Sequence, residues 1–81
     1  MDRFTITRTH RWGNADINIR NVYSTSRSKS KRDDVIRMAN DMIERERLHT
    51  NEEVEYEVLL AYENGNTEFI HRVEKIGEKS K

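Results

Sequence analysis

Residues 54–76 read VEYEVLLAYENGNTEFIHRVEKI, and the fold turns on this stretch. Val54, Tyr56, Val58, Leu60 and Tyr62 alternate with Glu55, Glu57, Leu59, Ala61 and Glu63. That period of two belongs to a strand with one buried face. Asn64-Gly65 follows as a hairpin signal, because a type I′ turn needs positive φ at both central residues. Pairing across a two-residue turn sets Leu60 opposite Phe69, Tyr56 opposite Val73 and Glu57 opposite Arg72, with Leu59 meeting Ile70 on the other face. The outer face then holds Leu59, Ala61, Ile70 and Ile76. This is more apolar surface than a monomer needs, so an interface is expected there, a homodimer being one form of it.

Upstream of this hairpin the period changes. Val35, Ile36, Ala39, Met42 and Ile43 recur at spacings of three and four, with Met38 beside them. This predicts a helix over 31–48 that buries one stripe. Ser30 with Asp33 three residues on resembles a capping box, and Asp41 and Arg45 are spaced for an i,i+4 ion pair.

The first segment, 3–24, reads as another hairpin. With Gly13-Asn14 as a two-residue type II′ turn, Phe4, Ile6, Trp12, Ala15, Ile17, Ile19 and Tyr23 fall on one apolar face. The other face would show Arg3, Thr5, Thr7, Thr9 and Arg11 beside Asp16, Asn18, Arg20 and Val22. Residues 25–30 form a basic, serine-rich loop without an apolar side chain, expected to be mobile. Residues 77–81 read as a flexible tail.

Together these elements predict an α+β fold of one small domain spanning 1–81. Its order is ββαββ, with one helix packed on one face of a largely antiparallel four-stranded sheet. Strand order is left open.

Composition narrows the function. The chain has 81 residues, of which 37% are charged and 33% hydrophobic, so its core must be thin. Cysteine is absent, which removes disulfide and thiolate chemistry and points weakly to a reducing compartment. No long apolar run suits a membrane span or a signal peptide. The cytoplasm is the expected location, or the host cytoplasm for a viral protein.

The neutral total hides a strong asymmetry. Residues 1–32 carry eight Lys/Arg against two Asp, net +6, whereas residues 33–81 carry seven against thirteen, net −6. Such a field orients encounters with charged partners.

No catalytic or cofactor motif stands out. Asp33-Asp34 and Glu52-Glu53 are sequence neighbours, whose side chains diverge on regular structure. His10, His49 and His71 lack metal-ligand spacing. The expectation is therefore a non-enzymatic protein with no cofactor and no metal. It would be a protein-interaction module, an inhibitor or regulator of the phage or mobile-element accessory kind, docking on a larger protein through charged faces. Its candidate interface is Glu55, Glu57, Leu59, Glu63, Glu68 and Ile70. The alternative is a nucleic-acid, nucleotide or phosphate binder using Arg3, Arg11, Arg20, Arg27, Lys29, Lys31 and Arg32. The last three of these crowd the helix start, whose dipole already favours anions.

Overall fold

A computed structural model describes residues 1–13 and 15–77 of the chain. The expected tail beyond Gly77 and the second residue of the first expected turn, Asn14, lie outside the described residues. The chain runs through β1 (Arg3–Arg11), β2 (Ile17–Ser26), α1 (Arg32–His49), β3 (Glu53–Ala61) and β4 (Thr67–Lys75). Every pairing is antiparallel, in one sheet of order β2-β1-β3-β4. The order ββαββ and the single helix on one sheet face are as the sequence predicts.

The core explains this order. Phe4 and Ile6 of β1, Val35, Ala39 and Ile43 of α1, and Val54, Tyr56, Val58 and Leu60 of β3 are buried together. The two inner strands thus supply the most regular apolar alternation, and α1 covers them. Ile36 stays half-buried outside this cluster, while Met38 and Met42 pack against it. The helix touches β1, β3 and β4 but does not reach β2. β2 contributes only the partly buried Val22 and Tyr23 to the packing. The result is a slab of 48 × 22 × 15 Å, one sheet and one helix thick, with β2 as an edge strand that the helix does not cover.

Both hairpin turns differ from expectation, and in the same way. The Trp12 N–H donates to the Asp16 carbonyl at 3.0 Å and the Ala15 N–H to the Trp12 carbonyl at 3.1 Å. In the second hairpin the Tyr62 N–H donates to the Asn66 carbonyl at 2.7 Å and the Gly65 N–H to the Tyr62 carbonyl at 3.0 Å. Each connection therefore has three residues, the third in the left-handed region: Ala15 at φ 74° and Gly65 at φ 94°. A three-residue loop closing on a left-handed residue is the next commonest hairpin after the two-residue types.

One added loop residue shifts the register by one, which moves every side chain to the opposite face. Ile17 now pairs with Arg11 and Ile19 with Thr9, so both isoleucines leave the core face and stand 57% and 65% exposed. A bulge between Ile6 and Thr7 shifts the pairing by one more residue, which returns Tyr23 to the core face, though opposite Ile6 rather than the Phe4 that a two-residue turn would set there. In the second hairpin the bulge lies between Val58 and Leu59. Tyr56–Val73 and Glu57–Arg72 pair as predicted, whereas Phe69 lies opposite Leu59 rather than Leu60. Ile70 packs against the core and Phe69 is turned outward, 57% exposed.

The helix start also departs from prediction. Lys31 is the N-cap and makes no side-chain capping bond. The Ser30 hydroxyl instead lies 3.4 Å from that of Thr25. Asp33 and Asp34 occupy the first turn, where they complement the helix dipole. Along the helix, ion pairs link Asp34 with Arg37 and Glu44 with Arg47, at i,i+3 rather than through Asp41 and Arg45. The basic serine-rich loop is tied down by local bonds. The Lys29 N–H donates to the Ser26 carbonyl at 3.0 Å, and the Ser26 and Ser28 hydroxyls lie 2.7 Å apart. Among the described residues no helix is long and apolar enough to cross a membrane.

Candidate functional site: the helix-free face of the sheet

Sheet alternation and the observed register place the helix-free face residue by residue. From β2 to β4 its rows are Ile17–Arg11–Glu53, then Ile19–Thr9–Glu55–Glu74, then Asn21–Thr7–Glu57–Arg72, then Ser24–Thr5–Leu59–Phe69. A threonine ladder on β1 therefore lies beside a glutamate ladder on β3, with isoleucines at one corner and Leu59 and Phe69 diagonally across.

The charges on this face are partly satisfied. Arg72 donates from Nε to Glu55 Oε1 and from its terminal nitrogen to Glu74 Oε2 at 3.1 Å. This arginine and the adjacent side chains leave Glu55 only 4% exposed on a face with no covering layer. Arg11 reaches Glu53 at 3.4 Å, and the Thr7 hydroxyl donates to Asn21 Oδ1 at 3.1 Å. Burial raises the Glu57 carboxyl above its ordinary value; the hydrogen bond and negative charge of Glu55 add to the rise, and Arg72 and Arg11 oppose it. Four glutamates against three arginines, Arg3, Arg11 and Arg72, leave this face slightly acidic.

A cleft of about 680 Å³ opens at the Ile17 end of this face. Trp12, Ile17 and Ile76 form its apolar walls, and Arg11 and Glu53 lie along it. It joins the outer face through Ile17.

Of the expected interface residues, Glu55, Glu57 and Leu59 share this face. Glu63 lies at the second hairpin loop, where it pairs with the chain's amino group at 3.1 Å. Glu68 lies on the helix side, bound to Arg32 and accepting from the Tyr62 hydroxyl. Ile70 points to the core, so Phe69 takes its place outside.

The expected basic set does not converge. Arg3 and Arg11 share the helix-free face but lie at opposite ends of β1, roughly 27 Å apart along a strand. Arg20 is on the other face, opposite Arg8 in register. Arg11 pairs with Glu53, Arg27 with Asp2 at 3.0 Å and Arg32 with Glu68 at 3.5 Å. Arg3 donates to the Ser24 hydroxyl at 3.0 Å. Lys29 and Lys31 remain exposed at the turn before α1.

The charge asymmetry survives folding in altered form. The β1–β2 half of the sheet carries four arginines against one aspartate and the β3–β4 half six glutamates against two basic residues. Because β1 and β3 are neighbours, the two halves meet side by side, and Arg11 and Glu53 form an ion pair across the junction.

On its helix-facing side β1 makes polar contacts that the sequence reading missed. Arg8 donates to Glu46 Oε1 at 2.8 Å, and the Tyr56 hydroxyl donates to the same oxygen at 2.7 Å. His10 Nε2 lies 2.8 Å from Glu52 Oε1, and the His10 ring stacks on Trp12 with centroids 4.0 Å apart. Burial works to raise the Glu46 carboxyl, but the bonds from Arg8 and Tyr56 outweigh it and hold it below its ordinary value. Burial, reinforced by Glu46, pushes the Tyr56 hydroxyl up to about 12. The available signal was parity: Arg8 and His10 continue the core-facing positions of Phe4 and Ile6, and such polar groups need partners.

The fold and this surface define a small α+β domain with an exposed, mixed-charge sheet face. No family model, curated protein or solved structure matches the chain.

Proposed function

We propose that this chain is a non-catalytic protein-binding module that docks on a larger cytoplasmic protein through the helix-free face of its sheet. It acts as a small inhibitor or regulator, of the kind phages and mobile elements carry. The observation that carries this reading is the grouping of Glu55, Glu57 and Leu59 with exposed Phe69 on one uncovered face. Glutamates steer and orient a basic partner surface, and apolar side chains supply buried area. The cleft beside Trp12 and Ile17 suits an apolar anchor from the partner.

The nucleic-acid reading has weaker support. Three of its seven basic residues are held in ion pairs with acidic neighbours, and Arg20 faces away from Arg3 and Arg11.

Two variants separate the readings. Glu57→Lys/Phe69→Lys alters the face, and Lys29→Glu/Lys31→Glu alters the turn before α1. A partner retained by the wild type and the turn variant, but lost by a folded face variant, is the expected result. Saturable binding of labelled mixed-sequence DNA or RNA that weakens linearly in log salt, and that the turn variant abolishes, would overturn the proposal.

A further inference from the structure

We infer that β2 is a self-pairing edge, through which two copies of this chain join their sheets into one continuous antiparallel sheet. Edge strands expose a row of unpaired backbone groups, and natural proteins shield them with charge, proline, short length or a covering element. β4 has such protection: it carries Glu68, Arg72, Glu74 and Lys75 and packs against α1. β2 has little. It runs ten residues, INIRNVYSTS, with a single charged side chain, and no helix covers it.

Hydrogen-bond parity says which residues of β2 face outward. Trp12 and Asp16 form a bonded pair at the loop. Bonded and non-bonded pairs alternate along an antiparallel ladder. Asn18 and Arg20 therefore aim their backbone groups at His10 and Arg8 of β1, whereas Ile17, Ile19 and Asn21 aim theirs away from the sheet.

Pairing β2 with a second β2 about a two-fold axis at Asn18 is complementary in side chains as well. Ile17 meets Ile19 of the second copy, twice over, bringing four exposed isoleucines together on one face. Arg20 meets Asp16 of the second copy on the other face, also twice. Moving the axis to Ile19 would set Ile17 against Asn21 and Arg20 against Asn18, losing both complementarities. β-branched and opposite-charge cross-strand pairs are among those that stabilise sheets. The helix-free faces of both copies would lie on the same side of the joined sheet, so the docking surface above stays open.

The chain contains no cysteine, which permits a clean test. The two Asn18 residues would form a non-bonded pair, with Cα atoms about 4.5 Å apart, inside the range a disulfide spans. Single variants Asn18→Cys, Ile19→Cys and, as a control on the exposed part of the helix, Leu48→Cys are oxidised mildly in the otherwise intact chain. Asn18→Cys should form disulfide dimers at least about tenfold faster than Leu48→Cys, because pairing raises its local thiol concentration. Sedimentation of the wild type should show a dimer that Ile17→Lys/Ile19→Lys converts to a folded monomer. Monomeric wild type at about 100 µM, with Asn18→Cys no faster than the control, would overturn self-pairing. Ile19→Cys crosslinking ahead of Asn18→Cys would overturn the proposed axis.

Discussion

Replacing Ala15 with glycine should stabilise this protein, and the size of the effect tests the hairpin geometry. Ala15 sits at φ 74°, the third residue of the first loop, where the equivalent residue of the second loop is Gly65 at φ 94°. An L-residue in the left-handed region costs about 1–2 kcal/mol. Glycine returns about 0.4–1 kcal/mol of that through its greater freedom in the unfolded chain. Ala15→Gly should therefore gain about 0.5–1 kcal/mol, raising Tm by roughly 2–6 °C for a chain of this size. Gly65→Ala is the reverse substitution at a φ beyond the usual left-handed well, and should cost about 1–2 kcal/mol.

Gly13→Ala completes the set. Gly13 has no positive φ, and nothing lies within 4 Å of a Cβ placed there. It should change stability by no more than about 0.5 kcal/mol in the destabilising direction. A two-residue type II′ turn would reverse this pattern, because its first residue must have positive φ. Urea and thermal unfolding followed by far-ultraviolet circular dichroism, with Trp12 fluorescence as a local probe, give the three values. Loss of stability in Ala15→Gly, together with a cost above about 1 kcal/mol in Gly13→Ala, would refute the three-residue loop and the register built on it.

The same register is checked in the core: Ile6→Ala should cost about 3 kcal/mol in chemical denaturation and Ile19→Ala under about 0.5, because Ile6 is fully enclosed and Ile19 is 65% exposed. Arg8→Met should lose about 2 kcal/mol by leaving Glu46 with one donor fewer in a largely enclosed site, and Arg8→Met/Glu46→Leu should recover much of it; equal losses in both variants would sink the argument. Glu46 is held below its unfolded value of 4.5, so it adds stability above that pH that disappears as pH falls through its folded value. Glu46→Gln should accordingly flatten the acid limb of the stability curve. Glu57 has the opposite sign, since its raised folded value costs stability as pH climbs above 4.5. Glu57→Gln should stabilise at pH 7 and make little difference at pH 3, as read from urea midpoints at both.

Local periodicity was enough to determine the kinds of element and their sequence order. Val54 to Tyr62 could bury one face only as a strand, and Val35, Ala39 and Ile43 only as a helix. Glu57 and Arg72 were correctly paired because the second loop's extra residue is cancelled by the bulge before Leu59. The outer positions of Glu55, Glu57 and Leu59 were likewise legible, since parity along β3 does not depend on its neighbours.

Tertiary structure decided what periodicity could not reach. An Ala in the left-handed region carries no turn signature comparable to Asn-Gly, so a two-residue loop fitted the first hairpin equally well on paper. That one residue put Ile17 and Ile19 outside. The extra residue of the second loop did the same for Phe69, and both changes rebuilt the candidate surface. Strand order came from nonlocal burial: β1 and β3 must both lie under α1 to enclose Phe4, Ile6, Val58 and Leu60, which leaves β2 at a bare edge. The meeting of Arg8 with Glu46, across 38 positions of chain, and of Arg11 with Glu53, depends on that order. Sequence spacing specifies which way a side chain points within its own element, but only the packed sheet specifies which charge it meets.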